Sequence, residues 1–176
     1  FRVYIVLIMT LQMQLDYRER LAEIRARQKA LIKDKKAVSG NTNWQVNGSL
    51  SQGNKMVNDT QKLLLRAFNT ECDELIAKVK YTNYDASLNR IHKSAETISK
   101  LGTIMNISIQ PSYLKLKVEE LRLAFEYQQK KQDERKLKKL LVKNFAKLQD
   151  SKKKSKIRKR KLKRSKHITR PLMSTF

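Results

Sequence analysis

A chain of 176 residues is long enough for one modest domain with extensions, and its 40 % apolar content, four glycines and two prolines favour helices over a sheet sandwich. The net charge of +24 is unevenly placed: residues 1–135 carry 23 Lys and Arg against 15 Asp and Glu, a net of +8, while residues 136–176 carry 17 against 1, a net of +16. A block of one sign repels itself and attracts phosphate polyanions, and a lone cysteine, Cys72, excludes a disulfide-stapled secreted domain and points to a cytoplasmic protein.

The apolar run at residues 1–9 resembles a signal peptide only superficially. It is followed by Gln12 and Gln14 and lacks a small-residue cleavage site. It is also far short of the roughly 20 apolar residues of a membrane span, so no membrane partner is expected. Leu21, Ile24, Gln28, Leu31 and Ile32 follow helical spacing and predict an amphipathic helix over 16–37, stopped by Ser39-Gly40-Asn41. The stretch 38–54 then changes character. It carries no charge at all, Trp44 and Val46 alternate with polar residues, and Asn47-Gly48 is a strong type I′ turn signal. The expectation is a small polar hairpin, or an ordered loop pinned by Trp44.

Asn58-Asp59 has the chemistry of a helix N-cap, with Leu64, Ala67, Phe68, Leu75 and Val79 on one face of a helix over about 59–80. Asn83 or Asp85 can cap the next helix, whose Tyr84, Leu88, Ile91, Ala95, Ile98 and Leu101 form a coiled-coil-like seam ending at Gly102. Ile104 to Ile109 is a short apolar connector. Pro111 suits the first turn of a last helix carrying Leu114, Val118, Leu121, Phe125 and Gln128, running to about 135 or 149. Beyond Asp150 the chain is basic low-complexity sequence, expected to be disordered. The fold class is therefore mainly α, a helical bundle with coiled-coil character, a polar insert at 38–54 and a disordered basic tail.

No complete catalytic constellation emerges, and the chain reads as a non-enzyme without metal or cofactor. Cys72 with His92 lacks a third group to orient the base, and each falls on a separate helix as an ordinary packed or half-exposed residue. Glu71, Asp73 and Glu74 point in different directions on one helix and read as solvated charges, as do Glu119-Glu120 and Asp133-Glu134. Gly40, Gly48, Gly53 and Gly102 form no phosphate-cradling pattern, and there is no Cys-x-x-Cys pair. The loudest signal is cationic: Lys152, Lys153, Lys154, Lys156, Arg158, Lys159, Arg160, Lys161, Lys163 and Arg164 are candidates for sequence-independent contact with nucleic acid. The heptad-like seams point to self-association or pairing with a partner helix.

Several stretches in order resemble a bacterial and phage family, domain-of-unknown-function family 4041. They are Asp16-Tyr17-Arg18-Glu19-Arg20-Leu21 with Glu23-Ile24-Arg25, Thr42-Asn43-Trp44-Gln45-Val46-Asn47-Gly48-Ser49, Arg66-Ala67-Phe68-Asn69-Thr70-Glu71-Cys72-Asp73, Ala77-Lys78-Val79-Lys80, and the run from Tyr113 to Gln128. The resemblance covers residues 16–135. It implies a helical domain in a phage- or mobile-element-associated protein, followed by a Glu-rich coiled coil and a GIY-YIG-type nuclease. This chain departs from that pattern after Arg135: its continuation is Lys-rich, and no Gly-Ile-Tyr or Tyr-Ile-Gly occurs. Glu and Lys codons are both purine-rich, so residues 136–176, and 1–15 likewise, are expected to be frameshift products. The expected function is thus a non-catalytic helical interaction or scaffold domain truncated before a nuclease, with a basic nucleic-acid-binding protein as the alternative.

Overall fold

A computed structural model describes the backbone of residues 2–168 and the side chains of residues 8–164. The protein is mainly α-helical. Its elements in chain order are α1 (Arg2–Lys33), β1 (Val38–Ser39), α2 (Leu50–Ala77), α3 (Tyr84–Leu101), a 3-10 turn (Thr103–Met105), β2 (Ser108–Ile109) and α4 (Pro111–Ile168). The chain divides into two compact units, residues 1–132 and 133–176.

In the first unit, α1 starts earlier and stops earlier than the 16–37 expected. Lys35 takes a left-handed conformation, φ 56°, and the amides of Lys35 and Lys36 donate to the carbonyls of Ile32 and Leu31. This is a Schellman closure with lysine where glycine is commoner. It ends the helix before Ser39-Gly40-Asn41 is reached, which frees Ser39 to join a strand. The side chains of residues 1–7 lie outside the described residues.

The stretch 38–54 holds the expected tight turn but not a self-contained hairpin. Asn47 and Gly48 both have positive φ, 51° and 75°, and Val46 and Ser49 exchange backbone hydrogen bonds of 3.1 and 2.8 Å, as a two-residue I′ turn requires. The strand at its start pairs elsewhere. β1 runs antiparallel to β2, with Val38 opposite Ile109 and Ser39 opposite Ser108, and the two serine hydroxyls lie 2.7 Å apart.

Helix α2 begins at Leu50, not near Asp59. Ser49 caps it by accepting from the Gln52 amide, and Asn58 and Asp59 are interior positions of the helix. Gly53 allows close approach: a Cβ there would lie 1.8 Å from the Trp44 carbonyl oxygen. Asn83 does not cap α3 with its side chain. It accepts from the Lys80 amide and donates to the Lys78 carbonyl, closing the end of α2 instead. The α3 seam buries Ile91, Ala95 and Ile98, while Leu101, expected on the same seam, is exposed. These pack with Phe68, Cys72, Leu75 and Ile76 of α2, Ile107 and Ile109 around β2, and Tyr113, Leu121 and Ala124 of α4 into one core.

Helix α1 lies against a second face of α4. Leu21, Ile24, Gln28 and Leu31 of α1, and Leu116, Glu120, Leu123 and Tyr127 of α4, repeat at alternating steps of three and four. Arg20 pairs with Glu126 at 3.2 Å and Arg27 with Glu119 at 3.5 Å, and Tyr17 stacks on Tyr127 with centroids 4.3 Å apart. Rising numbers on one helix meet falling numbers on the other, so the pair is an antiparallel coiled coil with flanking ion pairs.

In the second unit the basic tail, expected to be disordered, is helical as far as Ile168. No glycine or proline occurs between Pro111 and Pro171, and Leu, Lys, Arg and Gln are good helix formers. Lys136–Asp133 and Lys138–Glu134 pairs support its first turns. Residues 169–176 lie outside the described residues. Among the described residues no helix is long and apolar enough to cross a membrane.

Candidate functional site

Cys72 points from α2 into the core with no exposed surface. Burial, the largest influence, pushes its thiol up to about 12, outweighing Lys117, which pulls the other way. A thiol held protonated at neutral pH is not a nucleophile. His92, the base it would need, is exposed on α3.

The three neighbouring carboxylates of α2 diverge. Glu71 accepts from Ser94 at 2.6 Å, Asp73 accepts from Lys117 at 2.9 Å, and Glu74 pairs with Lys78 one turn on, a hydrogen bond that lowers its pKa. Among the described residues no three His, Cys, Asp or Glu side chains are grouped to hold a metal ion.

The structure instead gathers a polar junction where α1, α2 and α4 meet. Glu120, expected on a solvated face, is 2 % exposed. Its Oε2 accepts from Gln28 Nε2 at 2.8 Å and its Oε1 from Arg25 Nε at 3.0 Å. Lys117, one turn earlier and also buried, lies 3.8 Å from Glu120 while donating to Asp73. Burial alone would lower the Lys117 pKa. The Asp73 hydrogen bond and the neighbouring acidic groups outweigh it, and the net shift is upward. Tyr113 donates to Asn69 Oδ1 at 2.7 Å, and burial raises its pKa. A cleft of about 210 Å3 opens beside Arg25, Gln28, Asn69 and Tyr113. Among the described residues no buried side-chain nitrogen or oxygen lacks a partner. The junction is therefore closed on itself and fixes the register of three helices rather than presenting an unfilled hydrogen-bonding set. Gln28 stood in the sequence as the one polar member of an apolar stripe, which was the available signal. Nothing local marks Glu120 as different from Glu119.

On the far half of α4 the heptad positions set by Leu123 and Tyr127, held by Lys130 and Glu134 in the next heptad, are apolar again at Leu137, Leu141 and Leu148, with Asn144 between them. Leu137, Leu140, Phe145 and Leu148 are 44 %, 53 %, 63 % and 50 % exposed. At 100° per residue these side chains with Leu141 span an arc of roughly 140°. Lys136, Lys138, Lys139, Lys143 and Lys147 surround it, and no carboxylate occurs between Glu134 and Asp150.

The ten cations singled out from the sequence are all exposed on the same helix. Lys152, Lys156, Lys159 and Lys163 fall on one stripe, Lys153, Arg160 and Arg164 on a second, and Lys154, Arg158 and Lys161 on a third. Cations covering most of a helix's circumference make a sheath of positive potential, without the aromatic platforms of single-strand binders.

A family model described as the SNIPE associated domain matches residues 14–132. No curated protein and no solved structure matches. The match corrects the resemblance to domain-of-unknown-function family 4041: the stretches quoted for that resemblance, from Asp16 to Gln128, fall inside the matched region and are accounted for by the other family. The expectation of a following nuclease rested on that resemblance and has no other support.

Proposed function

The chain belongs to the SNIPE associated domain family, and from that premise we propose that it is a non-catalytic helical interaction module, with α4 as the element that engages a partner helix. One observation carries this reading. The heptad positions that seat α1 on α4, charged at Lys130 and Glu134, are apolar again at Leu137, Leu141 and Leu148, and Leu137, Leu140, Phe145 and Leu148 stand 44 to 63 % exposed. Side chains of this size cost about 25 cal/mol per Å2 when left in water, so a stripe in heptad phase favours a helical partner.

The test is sedimentation of the full chain, alone and with amphipathic helical peptides that carry leucine at heptad positions. Association that is abolished by L137D with L148D is expected. A chain that stays monomeric alone and with every such peptide overturns the reading.

A second reading, binding of nucleic acid by residues 152–164, is favoured by the unbroken exposure of those ten cations on one helix. DNA affinity measured over a salt series separates it. A chain ending at residue 135 should lose the binding, and the full chain should show a steep loss of affinity with added salt. Equal affinity of the two chains removes this reading.

A further inference from the structure

The structure assigns the exposed stripe of α4 to one kind of occupant: an amphipathic helix with leucine-type residues on one face and glutamates flanking them. The inference rests on the reading of α4 as an interaction element and names the partner that reading leaves open. Two observations carry it, continuity with an interface the fold already uses and charge complementarity.

The first half of α4 shows how this helix recognises a neighbour. Its seam residue Tyr127 stacks on Tyr17 of α1, the Leu116 carbonyl accepts from Gln28, and the acidic side chains beside the seam, Glu119 and Glu126, take arginines of α1. The positions equivalent to Glu119 and Glu126 in the next heptads are 133, 140 and 147, occupied by Asp133, Leu140 and Lys147. After Asp133 this flank carries no acid, and Lys138 and Lys147 stand at flanking positions in a stretch with no carboxylate between Glu134 and Asp150. The near half of α4 takes arginines of α1 through Glu119 and Glu126, whereas the far half selects an acidic helix.

A second copy of the stripe is a poor occupant. Lys138 and Lys147 flank the seam, no carboxylate lies between Glu134 and Asp150 to answer the same lysines of a second copy, and like charges facing one another disfavour pairing. Leu140 and Phe145, at the flanking positions themselves, broaden the apolar strip beyond a strict two-residue repeat. They give a partner more hydrophobic area than ion pairing needs, so the contact is not that of a simple polyanion. Asn144 falls on the seam between Leu137 and Leu148. A polar residue at such a position fixes the register of a partner.

Fluorescence anisotropy of labelled peptides with the full chain tests the assignment at roughly 0.15 M salt, where screening leaves only close charge pairs. Three peptides of about three heptads are used: leucine seam with glutamate flanks, the same seam with lysine flanks, and the glutamate peptide scrambled so that its leucines share no face. The expected result is that the glutamate amphipathic peptide binds at least about tenfold more tightly than either of the others. L140E with L148E, both at exposed positions, should weaken it by a similar factor with the helical circular-dichroism signal unchanged.

Equal binding of the scrambled peptide overturns the inference, because the stripe would then be recognising negative charge alone. So does displacement of the glutamate peptide by duplex DNA from both the parent and the L140E L148E chain with equal ease. Equal binding of the lysine peptide overturns the charge assignment while leaving the interaction reading standing. Failure of all three peptides brings down the interaction reading itself.

Discussion

Gln28 of α1 donates its side-chain amide to the Glu120 carboxylate of α4 at 2.8 Å, inside an interface where both side chains are almost wholly buried. A charge in that position is tolerable only because Arg25 bonds the second oxygen and Lys117 lies nearby. Truncation at Glu120 removes the acceptor of both α1 donors at once and leaves the Lys117 ammonium with Asp73 as its remaining close partner. E120A is expected to destabilise the fold by about 3 kcal/mol, the scale of breaking one side of a buried ion pair. E120Q, which keeps the shape and one acceptor, should cost clearly less. Urea unfolding of the two variants checks this, and equal midpoints for parent and E120A would remove the junction from any structural role.

Gly53 offers an opposite sign to the usual rule. In an exposed helix, alanine is better than glycine by about 1 kcal/mol. Here an added Cβ would meet the Trp44 carbonyl oxygen at 1.8 Å and the carbonyl carbon at 2.5 Å, and backbone cannot swing aside as a side chain can. G53A is expected to lower stability by about 2 kcal/mol, as overpacking does, and to shift the emission of Trp44, the single tryptophan. A variant as stable as the parent with unchanged fluorescence would mean the 38–54 segment is not held against α2.

The elements that could be read from the sequence were those whose cause is local. Asn47-Gly48 needs only its own backbone preferences to make an I′ turn, and Ile91, Ala95 and Ile98 declare a buried face because each is apolar at helical spacing. β1 could not be found that way. It is two residues long, and its partner Ser108 is 69 residues downstream of Ser39, so pairing rests on tertiary packing rather than on strand propensity. The start of α2 was misplaced because Ser49 sits in an uncharged stretch that looks like loop on both sides. Glu120 was hidden for a different reason. A buried carboxylate is the same letter as a solvated one, and only the arrival of Gln28 and Arg25 from 92 and 95 residues away distinguishes them. In the tail, charge repulsion opposes helix propensity; with no glycine or proline to interrupt α4, propensity prevails as far as Ile168.

Cys72 should behave as a buried, protonated thiol. With no exposed surface and a pKa near 12, it offers a disulfide reagent neither access nor thiolate. Reaction of the native protein at about pH 8 is expected to be slower than in denaturant by several orders of magnitude, limited by opening of the α2–α3–α4 core. Absorbance of the released thiolate follows it. A native rate close to the denatured one would show that the core around Phe68 and Tyr113 opens readily.

Alkaline pH is the direction in which the fold should weaken. Among the described residues four groups have raised pKa values: burial is the first cause for Cys72, Tyr113 and Tyr17, and for Lys117 hydrogen bonding to Asp73 and nearby acidic groups overcome a burial effect of opposite sign. In every case the folded state holds its proton more tightly than the unfolded chain does. Their contribution is therefore complete below the unfolded values, about 8.5 for the thiol and 10 to 10.4 for the tyrosines and lysine. It is lost as pH rises through the folded values, because the unfolded state then releases protons that the folded state still retains. The urea midpoint should be flat with respect to these groups near neutrality and fall from about pH 9 upward. C72A should delay the onset of that fall, since the thiol has the lowest unfolded pKa of the four, while Y113F should reduce its slope above about pH 10. A midpoint that holds level to about pH 11 would mean that none of these groups is as enclosed as Phe68, Cys72 and Tyr113 are in this core.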